Sequence, residues 1–154
     1  MLARLVLLLI GRSAPAPAEG VVIHDPYARV IAGSGVVLFL IENQTDAPDR
    51  LIGARSDLGT AMLMNDTEDA NGVMKMRMVM DGFEVAPHQT RLLTNVADHV
   101  MLSGVTAKPK TGDLITVVLT FEVAGDITVT LPVDNARRTD PGPGPTPYDA
   151  ASTP

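Results

Sequence analysis

Thioethers and one imidazole make the pattern in this sequence that could do chemistry. GVMKMRMVM, residues 72–80, places methionine at 74, 76, 78 and 80; AMLM contributes Met62 and Met64; HVM sets His99 two residues before Met101. Of the eight methionines, all but Met1 fall between Met62 and Met101. A thioether is a soft, uncharged ligand that suits Cu(I), binds hard cations poorly and needs no deprotonation, and imidazole adds a stronger donor. Methionine is also a flexible core filler, and a Met face alternating with Lys75 and Arg77 is what a half-buried strand shows. Core packing accounts less well for leucine and valine filling the rest of the chain while methionine keeps to one region, and from the residues alone both readings stand.

Other chemistries find less support. With no cysteine, the chain has no disulfide framework, no thiolate nucleophile and no ligand for a blue-copper electron-transfer centre. Paired carboxylates and a Ser–His arrangement in recognisable context are missing; Ser103 lies four residues from His99 with no base–nucleophile geometry, so no enzyme is expected. DTEDANG, residues 66–72, lacks calcium-loop spacing and reads as a solvated turn. His24, before Asp25-Pro26, and His88, after Pro87, read as surface or turn positions. A net charge of −6 with few aromatics repels phosphate and argues against nucleic acid.

The elements that must position these ligands read as strands. Short β-branched runs at 21–30, 35–43, 49–56, 60–65, 73–80, 90–95, 99–105, 114–122 and 126–133 are separated by turn signals such as Asn71-Gly72 and Gly125-Asp126. That spacing predicts an all-β antiparallel sandwich or barrel. LITVVLTFEVAGDITVTLPV predicts a hairpin around Ala124-Gly125-Asp126. Residues i and i+2 of a strand share a face, so Met62/Met64, Met74/Met76 and His99/Met101 form three pairs that neighbouring strands could bring to one point.

The ends differ from this body. MLARLVLLLIG followed by SAPAPA has the layout of a secretory signal, residues 1–18, with a retained anchor as the alternative. Its apolar run is shorter than the roughly 20 residues a bilayer span needs, so no membrane insertion is expected after cleavage, and removal leaves a net charge of −8. Residues 19–134 form the expected domain. DNARRTDPGPGPTPYDAASTP is Pro/Gly-rich without an apolar period and predicts a disordered tail over 135–154.

GVMKMR, a turn-rich stretch and then HVML resemble the PCuAC family of periplasmic copper chaperones, whose members carry a pattern close to H-x10-M-x21-H-x-M. VVIHDPYAR is similar to that family's first strand, FLIENQTDAPDRLIGARSD to its central hairpin and GDLITVVLTFEVAGDITVTLPV to its last two strands. The resemblance implies a cupredoxin-like, Greek-key β-sandwich in the periplasm that binds one Cu(I) and passes it to a recipient such as the CuA centre of cytochrome c oxidase subunit II. Carried over by position, the ligands the resemblance implies are Met64, Met76, His99 and Met101, with Met62 as the alternative to Met64 and Met74 as the alternative to Met76. Each of the first two spacings is one residue longer than the pattern, and Met64 stands where the family has histidine. Three thioethers and one imidazole should hold Cu(II) poorly, and affinity should fall on acidification as a one-proton process. Met78 and Met80 read as packing residues or as a Met-rich contact surface. The tail has no His or Met, so no second copper site is expected there. The competing reading is a metal-free sandwich, an envelope accessory protein that uses the Met face for contact.

Overall fold

The computed structural model describes residues 20–142; the expected signal, 1–18, and residues 143–154 of the expected tail lie outside them. Among the described residues ten strands run in order: β1 (Val21–Ile31), β2 (Ser34–Asn43), β3 (Asp49–Ser56), β4 (Thr60–Glu68), β5 (Met74–Met78), β6 (Phe83–Val85), β7 (Thr90–Leu92), β8 (Asp98–Ser103), β9 (Leu114–Phe121) and β10 (Gly125–Pro132). They form two sheets. The first has the order β1-β2-β8-β4-β5, with β7 also paired to β2; the second has the order β10-β9-β3-β6. The strand pairings are antiparallel, as the sequence predicts. β6 is an addition, too short to register as a periodic run.

Alternation decides which residues face inward. In β9, Ile115, Val117, Leu119 and Phe121 point into the sandwich and meet Val37, Phe39 and Ile41 of β2, Leu63 of β4, and Val100 and Leu102 of β8. Each such side chain contributes about 1.5–3 kcal/mol on full burial. The expected hairpin forms with Gly125 opposite Phe121 and Pro132 opposite Leu114.

Two connections matter for the site. The turn Asp69–Gly72 joins β4 to β5, with Asp69 Oδ1 accepting from Asn71 N and Val73 N. Gly82 carries the chain from β5 in the first sheet to β6 in the second. Its φ is +75° and a Cβ there would lie 2.1 Å from Leu51 O, so glycine is required at that crossing.

Residues 135–142, which composition assigns to the tail, are held against β1. Arg137 forms a two-pronged ion pair with Asp25 and stacks 4.1 Å from the Tyr27 ring centroid. Tyr27 Oη donates to Thr139 O, and Asn135 Oδ1 accepts from Val30 N. Side-chain chemistry rather than apolar periodicity fixes this segment, which is why a search for periodicity passes over it.

Candidate metal centre

β4 and β8 pair so that Met62 lies opposite Met101 and Met64 opposite His99. On the other side of β4, Met78 of β5 lies opposite Met64 and Met76 opposite Asp66. Directly opposed residues share a face, with Cβ atoms about 4.5–5.5 Å apart. Because Leu63, Val100 and Leu102 point into the core, the intervening Met62, Met64, His99 and Met101 lie on the outer face of the first sheet. Met64 is at the centre, with His99 on one side, Met78 on the other, and Met62, Met101 and Met76 one pair away.

The expected ligands are therefore placed unequally. Met64 and His99 are direct neighbours, and Met101 follows His99 on the same face. Met76 is one pair farther along β5; two strands and four residues separate its row from that of Met101, which places their Cα atoms about 16 Å apart in ordinary sheet geometry. Met78, read from the sequence as packing or contact, occupies the position beside Met64 and is half exposed. The sequence signal for Met78 was only its place in the alternating run. Register across the β4–β5 hairpin depends on turn geometry, which spacing does not report.

Burial falls outward along this row. His99 is 1% exposed and Met64 9%, whereas Met74, Met76 and Met78 are 54%, 48% and 53% exposed. The sandwich core contains no methionine among its buried members.

The buried polar residues sharpen the picture. Asn43 donates to Ala47 O and Val85 O and accepts from Thr45. Asp49 accepts from Arg50 N, Val123 N and Ala124 N. Asp98 accepts from Asn65 Nδ2 and from Arg91 Nε at 2.8 Å and Nη2. His99 differs: its Nδ1 lies 2.9 Å from Ala97 O, where only an N–H can bond, and its Nε2 is buried without a partner. Fixing the proton on Nδ1 leaves a bare lone pair on Nε2, the tautomer that a metal-binding imidazole requires. Leaving such an acceptor unsatisfied costs about 1–3 kcal/mol. His24 Nδ1 and Arg29 Nε are likewise without partners, but His24 lies opposite Leu40 and its Nε2 contacts Glu42 at 2.7 Å, away from the thioethers. His88 is a surface residue against Asp46.

Asn65 and Asp98 form the next pair along β4 and β8 and point to the opposite face. Arg91 ties them to the second sheet, donating to Glu84 O and lying 5.2 Å from the Phe83 ring centroid. This clamp holds the register that sets Met64 against His99. Among the described residues, no group of three or more His, Asp or Glu side chains is arranged to hold a metal ion. The donor set on the outer face is soft, and it fits Cu(I) rather than a hard cation.

Residues 21–133 match the LpqE-like family, described as "Putative lipoprotein LpqE-like". A "Putative lipoprotein" of Leifsonia xyli subsp. xyli is 27% identical over 118 residues, covering 75% of this chain and 70% of its own length. The fold is shared with the copper-bound PCuAC domain from PmoF2, at TM-score 0.61 and 22% identity over 75% of this chain and 92% of that domain. The Cu(I) form of DR1885 from Deinococcus radiodurans is similar at TM-score 0.59 and 25% identity, over 79% and 84% of the two chains. The expected cupredoxin-like sandwich is the fold these structures have.

Proposed function

The chain belongs to the LpqE-like family, and we propose that it is a copper metallochaperone of the cell envelope, a carrier rather than an enzyme, with Cu(I) as its cargo. The observation that carries this reading is His99 Nε2, a buried nitrogen without a partner on a ring whose Nδ1 lies against Ala97 O, facing the same side as Met64 and Met101. Met64, His99 and Met101 hold the ion, and β5 supplies a further thioether. Register puts Met78 in that place first; Met76, favoured by spacing, reaches it only if β5 slides by one pair.

A half-exposed thioether beside a buried imidazole suits a carrier. The buried donors restrict water, while the β5 sulfur can be exchanged for a recipient's ligand without opening the core. The recipient proposed is an acceptor richer in strong donors, such as the CuA centre of cytochrome c oxidase subunit II. Similarity to copper-bound PCuAC domains and to lipoprotein relatives supports the copper cargo and an envelope or periplasmic location, reached through the signal at 1–18.

Anaerobic titration of the chain lacking residues 1–18 against a chromophoric Cu(I) chelator tests the proposal. One tight equivalent is expected, weakened at least tenfold in His99→Ala and in Met64→Leu. Failure of the unmodified chain to compete for copper would leave a metal-free binding module. Met76→Leu and Met78→Leu in the same assay decide which β5 thioether is used.

A further inference from the structure

Among the described residues, β5 ends its sheet and pairs only with β4. Val79 N donates to Leu63 O and Asp69 N to Val73 O, so the odd-numbered residues turn their backbone groups toward β4. The N–H and C=O groups of Met74, Met76 and Met78 therefore point to the free edge, where no strand among the described residues pairs with them. Such an edge is a template for another strand.

The side chains determine which strand it accepts. Residues 73–80 contain Lys75 and Arg77 and no acid, on a chain of net charge −6. Lys75 lies 3.6 Å from Asp69, with most of its side chain still in solvent. Arg77 makes no ion pair among the described residues. It lines an open cleft of about 480 Å³ with Asn65, Phe83 and Arg91, in which Asp98 is already engaged by Arg91 and Asn65. A second copy of β5 is a poor occupant. Antiparallel self-pairing that keeps Met facing Met sets Lys75 against Arg77, or one of them against itself, and opposed like charges destabilise a strand pair.

We propose that the β5 edge is a docking site for an extended acidic segment of a partner protein, which adds as a strand. Its carboxylates stand opposite Lys75 and Arg77, and its apolar or thioether residues stand opposite Met74, Met76 and Met78. Like-charge repulsion excludes copies of the chain, while opposite charge selects the partner. On the copper reading the partner is the recipient, and docking brings its ligands to the face that carries the half-exposed methionines. The docking surface itself is independent of bound metal.

The test uses the copper-free, isotope-labelled full chain and a capped ten-residue peptide alternating glutamate with valine. Saturable binding is expected, with amide shifts largest at Met74, Met76 and Met78 as their free N–H groups become bonded. Affinity should fall severalfold between about 0.02 and about 0.15 M salt. Lys75→Glu combined with Arg77→Glu should weaken binding at least tenfold and transfer preference to a capped ten-residue peptide that alternates lysine with valine. Met76→Pro, which removes an outward donor and no bond to β4, should abolish binding while the remaining spectrum is retained. The proposal is overturned by absent saturation, by equal binding of glutamate and lysine peptides, by indifference to charge reversal, or by self-association that competes with the peptide. None of these results alters the copper titration, so the two readings fail separately.

Discussion

β4 and β8 have an aliphatic face and a soft face. Inward, Leu63, Val100 and Leu102 join the sandwich core; outward, the alternate residues are Met62, Met64, His99 and Met101. Both faces bury side chains, since Met64 and His99 are as hidden from water as much of the core. The difference is in what burial achieves. The inner face gains from removing apolar surface from water, whereas the outer face conceals an imidazole nitrogen that has no partner. Methionine on these strands lies outside the aliphatic cluster, which leucine and valine fill one residue away.

This contrast can be broken from either side. The largest expected effect is on the inner face, where Leu102→Ala, at a fully buried site, should cost about 2–5 kcal/mol in denaturant unfolding. An effect below 1 kcal/mol there would mean that the sheets do not pack as described. Removing the polar clamp with Asp98→Ala should cost about 1–3 kcal/mol by stranding Arg91 and Asn65, and should weaken copper binding by loosening the Met64–His99 register. On the outer face, Met64→Leu keeps volume and should change stability by less than about 1.5 kcal/mol while copper affinity falls. A large stability loss with affinity intact would return Met64 to a packing role.

Strand existence, antiparallel class and the β9–β10 hairpin were legible in the sequence, because alternation and turn residues are local. The strand order β1-β2-β8-β4-β5 was not, since it depends on which strands cross between sheets at turns such as Asp81-Gly82. The candidate site was legible as residue types: period-two spacing pairs Met62 with Met64, Met74 with Met76 and His99 with Met101, and only the PCuAC resemblance selects Met64, Met76, His99 and Met101 from them. The place of Met78 beside Met64 was hidden, because hairpin register is set by turn geometry. The partnerless Nε2 of His99 depends on Ala97 O, a backbone atom without a sequence signature. The Arg91–Asp98–Asn65 clamp joins three strands at separations that no local pattern encodes.

The smallest effect concerns the strap over β1, which covers Tyr27 on the outer face, with β2 between it and β8. Hydrogen bonding from Arg137 holds the Asp25 carboxyl below its ordinary value of 3.8. A lowered carboxylate pKa gives stability that is present above the unfolded value and is lost as pH falls through the folded one. Residues 137–142 should therefore begin to loosen only as pH falls below the ordinary carboxylate value and detach below the lowered one, seen as faster amide exchange at Gly142, whose N–H bonds Asp25. Asp25→Asn should remove that pH dependence and leave the copper site unaffected. A coupled loss of copper affinity would mean that the strap also orders His99 across β2.

The most direct measurement is nitrogen NMR of the histidine-labelled chain before and after one equivalent of Cu(I). The Nε2 resonance of His99 should move strongly on loading, while Nδ1 stays protonated and bonded to Ala97 O. An unmoved Nε2 with copper bound, or coordination through Nδ1, would contradict the assignment of the outer face as the copper site.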